Sequence, residues 1–146
     1  METENDVIWD RARFLARRFQ KDEIPSMTLL ILYDLGMPLN YVGFGYLMQV
    51  LPEALKRPSQ IVAKEVYLAV AKLYTPELDI TIIDSAIRDA IEKAWENRCD
   101  RIWHYYFPDH LLQRRKPPSN LEFIAGIVYF LEMCKGCCKE VQYAGK

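Results

Sequence analysis

Apolar residues in this chain recur every three or four positions, and no segment alternates cleanly at every second one. A helix returns its side chains to one face with a period of 3.6 and a strand with a period of 2, so this spacing limits the chain to an all-α fold. The clearest stretch is Thr81 to about Asn97. Ile83, Ala86, Ile87, Ala90, Ile91, Ala94 and Trp95 all fall on one helical stripe there. Thr81 and Asp84 have capping-box spacing, and Asp79 is the other candidate for the cap.

The remaining segments read the same way. A first helix is expected from about Asp6 to Lys21, with Ile8, Ala12, Leu15 and Phe19 on one face. Its other faces carry Arg11, Arg13, Arg17, Arg18 and Lys21, opposed only by Asp10, which makes it the one strongly basic element. Two readings stand: a solvated face on a docking helix, or a contact with phosphate or an acidic partner. Glu23-Ile24-Pro25 is read as a break, followed by a helix capped by Ser26 and ended by Gly36 and Pro38. Asn40–Arg57 is read as a helix with a kink or restart at Pro52. After a turn and cap at Arg57-Pro58-Ser59, Val62, Val66, Ala69, Val70 and Leu73 stripe a helix that ends near Tyr74. Beyond the 81–97 helix lie the aromatic run Trp103-His104-Tyr105-Tyr106-Phe107 and a basic loop, Gln113 to Pro118. A second capping box, Ser119 with Glu122, opens a final apolar helix to about Cys134. The expected organisation is a basic amphipathic helix and linker over 1–25, one compact domain over 26–134, and a frayed tail over 135–146.

With 146 residues, 51% of them apolar, one core suffices without staples. Nineteen Lys and Arg against 20 Asp and Glu leave a net charge of −1, which excludes a protein that coats nucleic acid or membrane by bulk charge. No apolar run approaches the ~20 residues of a membrane span, and the opening METENDV is polar, so neither signal peptide nor membrane partner is expected. Cys99, Cys134, Cys137 and Cys138 make a poor disulfide framework and point to free thiols in a reducing cytoplasm.

The sequence offers little for an enzyme. His104 and His110 have no nucleophile beside them. Gly43-Phe44-Gly45 lacks the third glycine and the preceding strand of a dinucleotide site. The cysteine cluster has no second His/Cys pair to complete a tetrahedral metal site. No catalytic residue, cofactor or metal is expected.

The helix over 62–74, a short polar turn and the helix over 81–97 have the form of a helix-turn-helix. In that arrangement the second helix lays its N-terminal half into the DNA major groove. By pattern alone the same pair also reads as ordinary all-α packing. If it is a helix-turn-helix, the apolar stripe leaves Thr81, Asp84, Ser85, Arg88 and Asp89 facing outward. Arg88 is then the natural base reader, since a guanidinium can make two bonds to one guanine, and Ser85 and Thr81 can bond base or phosphate. Lys64, Lys93, Arg114, Arg115 and Lys116 are the phosphate candidates.

From Leu29 to about Leu131 the chain resembles the C-terminal DNA-binding effector domain of the sporulation initiation response regulators. The resemblance is carried by Leu35-Gly36-Met37-Pro38, Gly43-Phe44-Gly45-Tyr46-Leu47, Ala71-Lys72-Leu73-Tyr74, Ala86 to Trp95 and Lys116 to Ala125. It implies a compact six-helix domain containing a helix-turn-helix that binds short promoter boxes, often as tandem copies. Arg88 falls on an arginine position of the family's recognition helix. At Ser85 the family pattern has a further arginine, and at Asp89 a histidine. Family members carry a receiver domain before this region. About 25 residues stand there in this chain, so control by a receiver in cis is not expected.

The expectation is therefore a sequence-specific DNA-binding transcriptional regulator whose partner is a double-stranded promoter box, bound as a homodimer or as tandem copies. The alternative is a protein-interaction module on the same fold with weakened DNA binding, meeting the transcription machinery or a related regulator. The acidic Asp84 and Asp89 and the aromatic run at 103–107 motivate that alternative.

Overall fold

A computed structural model describes residues 3–18 and 23–144, with side chains as far as Cys137 except that of Asn5. The described residues form eight helices and no strand: α1 (Glu4–Arg18), α2 (Ile24–Asp34), α3 (Val42–Leu55), α4 (Ala63–Ala71), α5 (Ile80–Glu96), α6 (Asp100–Trp103), α7 (Asp109–Leu112) and α8 (Asn120–Ala144). The all-α expectation holds. The domain after α1 holds seven described helices rather than six, two of them single turns: α6, which ends on the first residue of the aromatic run, and α7, which follows it. No helix among the described residues is long and apolar enough to cross a membrane.

α1 opens on a reciprocal cap that its sequence spacing did not single out. The Asp6 N–H donates to Thr3 Oγ1 at 3.3 Å, and the Thr3 N–H donates to Asp6 Oδ2 at 3.1 Å. The two bonds satisfy donors that the first helical turn leaves open. Ile8, Ala12, Leu15 and Ala16 are buried, and α1 packs along α8. Phe19 and Lys21 lie outside the described residues. Arg11 is not part of a solvated face. It is half-buried, donating from Nη2 to Asp34 Oδ2 at 2.7 Å and from Nε to the Tyr106 hydroxyl oxygen at 3.1 Å. Tyr106 in turn donates its hydroxyl to the same Asp34 oxygen at 2.7 Å. Burial and that bond push the phenol pKa up from its ordinary value.

Pro25 does not break the chain. It sits in the first turn of α2, behind Glu23, and Ser26 is not the cap. A first-turn N–H has no intrahelical acceptor, and the ring already holds a helical φ, so proline fits there. The end of α2 falls as expected. Gly36 takes φ +89, and the N–H groups of Gly36 and Met37 bond back to Tyr33 and Leu32 carbonyls at 3.0 and 3.2 Å. α3 is continuous through Pro52, with no restart. The proline gives up the bond its N–H would make to the Met48 carbonyl, and the helix ends within the same turn at Leu55. At the other end of α3, a Cβ on Gly43 would overlap the Ala86 carbonyl and stand 2.8 Å from the Ala90 Cβ. The missing side chain is what lets α3 lie against α5.

α4 is rotated from the expected stripe. Val66, Tyr67, Val70 and Ala71 are buried, while Val62 and Leu73 are exposed, and Ser59 does not cap. The helix is only nine residues long, so Val62 and Leu73 fall outside it and need not follow its face. α5 matches its expectation, burying Ile83, Ile87, Ala90, Ile91 and Ala94, with Asp79 as the cap. The aromatic run is core. Trp103 and Phe107 stack with centroids 5.2 Å apart, and the buried indole N–H donates to the Leu35 carbonyl at 3.0 Å. The Ser119–Glu122 box forms, and α8 continues past Cys134 to Ala144 with Cys134 and Cys137 buried. The thiols behave here as small apolar groups that prolong the buried stripe.

Candidate nucleic-acid interface

Asp79 sets the start of α5. Its Oδ1 accepts the Thr81 N–H at 2.9 Å and the Thr81 hydroxyl at 2.9 Å. Those bonds hold its carboxyl below the usual range. The hydrogen of the Thr81 hydroxyl is therefore committed to the cap, and its oxygen remains as an acceptor. Because α5 buries one stripe, an advance of 100° per residue fixes its outward arc. Ser85 lies near the middle of that arc. Thr81 and Arg88 flank it on one side, and Asp89 and Ile82 on the other; all five are exposed.

Asp84 departs from the expected outward set. It is half-buried at the junction of three helices. Asn120 Nδ2, at the start of α8, donates to Asp84 Oδ1 at 3.0 Å and to the Asp84 carbonyl at 2.9 Å. The same amide reaches the hydroxyl of Tyr67 on α4 at 3.3 Å. Burial raises the Tyr67 pKa, and the Asp84 charge adds to the rise against the opposing Asn120 bond. Asp84 thus joins α4, α5 and α8. Its other oxygen, Oδ2, accepts from Arg88 Nη2 at 2.6 Å. The candidate base reader is charge-paired one turn along its own helix, at an exposed position where such pairs hold ~0–1 kcal/mol.

The candidate phosphate contacts divide. Lys64, Arg115 and Lys116 are exposed and carry no ion pair among the described residues. Arg115 takes a left-handed φ of +58, an uncommon conformation for a residue with a side chain. Lys93 pairs with Glu96 at 3.2 Å. Arg114 is the most constrained, making a two-pronged contact with Glu122 at 2.8 and 2.9 Å. Arg114 and the Ser119 N–H together pull the Glu122 carboxyl down to about 2. Arg114 is thereby drawn into the cap of α8.

Asn120 and Tyr67 were not legible from spacing. Ile82 was missed as well, although an apolar residue lying off the buried stripe was a signal that could have found it. Away from this face, His104 Nδ1 lies 2.8 Å from Asp109 Oδ1. No group of three or more metal-ligating side chains forms among the described residues.

α4, the connection over 72–79 and an α5 that keeps the arc Thr81, Ile82, Ser85, Arg88 and Asp89 in solvent define the architectural class: an all-α domain carrying a helix-turn-helix pair. Residues 28–131 match the family described as "Sporulation initiation factor Spo0A C terminal". The chain belongs to that family, a family of DNA-binding transcription factor domains rather than of enzymes. The match begins within α2 and ends within α8, so α1 and the second half of α8 lie outside it. No solved structure gives a significant match.

Proposed function

We propose that this protein is a sequence-specific DNA-binding transcriptional regulator that inserts the N-terminal half of α5 into the major groove. The observation that carries the reading is the exposed arc Thr81–Ser85–Arg88 on a helix whose opposite face buries Ile83, Ile87, Ala90, Ile91 and Ala94. Arg88 exchanges Asp84 for the O6 and N7 atoms of a guanine, while Ser85 and the free lone pairs of Thr81 meet neighbouring bases or phosphate. Lys64, Arg115 and Lys116 are the first choices for phosphate. Lys93 serves after release from Glu96, and Arg114 contributes least because Glu122 holds it. The partner is a double-stranded promoter box of the family's type, the 0A box, occupied by tandem copies or a dimer beside RNA polymerase.

The test is fluorescence anisotropy of the purified chain on a randomised duplex pool and on the family's box at two salt concentrations. Affinity that falls as salt rises, with enrichment of one motif, supports the reading, because each phosphate contact displaces about one counterion. No binding at low salt overturns it. The second reading, an interaction module that has given up DNA, is favoured by Asp89 on the outward arc and by the pairing of Arg88 with Asp84. The aromatic run does not support it, since Trp103, Tyr106 and Phe107 are buried.

A further inference from the structure

The outward arc of α5 is not uniformly polar. Ile82, in its first turn, leaves 50% of its surface exposed, and Val42, at the start of α3, leaves 66%. Both line one shallow, largely apolar groove whose other walls include Thr81, Ser85, Ala86 and Asp89. The pairing of Val42 with Ile82 is a consequence of Gly43, whose lack of a Cβ lets the first turn of α3 press onto α5 at Ala86 and Ala90. The two flanks of the helix therefore differ in chemistry. One presents the Arg88 guanidinium, and the other presents branched aliphatic carbon beside the Asp89 carboxylate. Ser85 stands between them.

The major-groove edge of a base pair displays hydrogen-bonding atoms and one apolar feature, the C5-methyl of thymine. A helix seated by Thr81, Ser85 and Arg88 brings the groove beside Ile82 against the base edges, because Thr81 and Ser85 themselves form its wall. We infer that Ile82 and Val42 form a thymine-methyl reader, which makes this chain select a T at the step beside the guanine read by Arg88. The inference rests on the DNA-binding reading above and adds the base class and the residues that choose it. Neither aliphatic side chain helps to hold the fold at its exposed tip, so both are free to be spent on recognition.

The test uses the full chain and the duplex enriched from the randomised pool. Each thymine in the duplex is replaced in turn by deoxyuridine, which removes the methyl and leaves the pairing edge unchanged. Burying a methyl-sized group corresponds to about a fourfold change in affinity. One position is expected to weaken binding by about that factor for the unmodified protein and for Ile82→Val. The same replacement leaves Ile82→Ser unaffected. If every deoxyuridine duplex binds as tightly as its parent, or if Ile82→Ser keeps the full methyl effect, the thymine reader is overturned while DNA binding stands. If no duplex binds at low salt, both readings fall, and that result is distinct from binding that ignores the methyl.

Discussion

Two arginine–aspartate pairs, Arg11–Asp34 and Arg88–Asp84, have contact distances of 2.7 and 2.6 Å and opposite roles. Side-chain exposures are 20% and 24% for the first pair and 57% and 36% for the second. Arg11 also lies over the rings of Phe14 and Tyr105 at 4.9 and 5.0 Å and accepts no alternative partner without leaving them. A charge removed from water and bonded at fixed geometry makes its partner costly to lose. The Arg88 pair spans one turn of a single helix in solvent and can open at little cost. Burial, rather than contact distance, separates an ion pair that holds the fold together from one that can be exchanged for a ligand.

Mutation separates the two most sharply at Arg11. Arg11→Ala leaves the Asp34 carboxylate and the Tyr106 hydroxyl without their cation. It is expected to lower stability by about 2–3 kcal/mol in urea denaturation. The folded fraction should bind DNA as before. Arg88→Ala should do the reverse, costing roughly 10- to 100-fold in affinity for the enriched duplex, the range of one bidentate base contact. Its unfolding midpoint should move little. If Arg88→Ala unfolds the protein as readily as Arg11→Ala, the contrast fails. Ser85→Arg combined with Asp89→His adds positive charge to the outward arc. Affinity for the family's box should rise several-fold, with a steeper salt dependence by about one phosphate contact. No gain in that double variant would mean that the arc does not face DNA.

The smallest effect concerns pH. The Glu122 carboxyl, bonded by Arg114 and the Ser119 N–H, titrates at about 2 against an ordinary value of 4.5. Its stabilisation is therefore complete above about 4.5 and is lost as the pH falls from there towards 2. Because the pair is about one-third exposed, the effect should stay below ~1 kcal/mol. Glu122→Gln should flatten the acid limb of the stability curve by that amount, and thermal melts across the window will measure it.

How much could be foreseen depends on how local each determinant is. α5 was legible almost to the residue because its stripe is unbroken and its cap, Asp79, lies two positions before Thr81. The Ser119–Glu122 box was equally local. α4 was misread because Val62 and Leu73 lie beyond the ends of a short helix. Pro25 was given a breaking role although it sits in a first helical turn, and Pro52 was expected to kink or restart a helix that runs on through it. The end of α8 was missed because cysteines stand where leucine or isoleucine would have continued the pattern. At the candidate site, Thr81, Ser85 and Arg88 came from the stripe alone. Asp84 lies at its margin, and only Asn120, 36 residues away, determines that it turns inward. Arg11 looked like a surface charge because its acceptor at Tyr106 is 95 residues distant.

That distance also bears on how the molecule is made. α1 carries its apolar residues out of the ribosome well before their partners exist, since Tyr106 and Asp109, which Arg11 and Glu4 bond, come 95 and 105 residues later. At ~5–20 residues per second, α1 waits roughly 5–20 s for them, and longer for α8. Through that interval Ile8 and Leu15 have no core to enter, and a chaperone has its opportunity to bind. The seat of α1 is complete only once α8 has been made, because α8 is the helix it packs along.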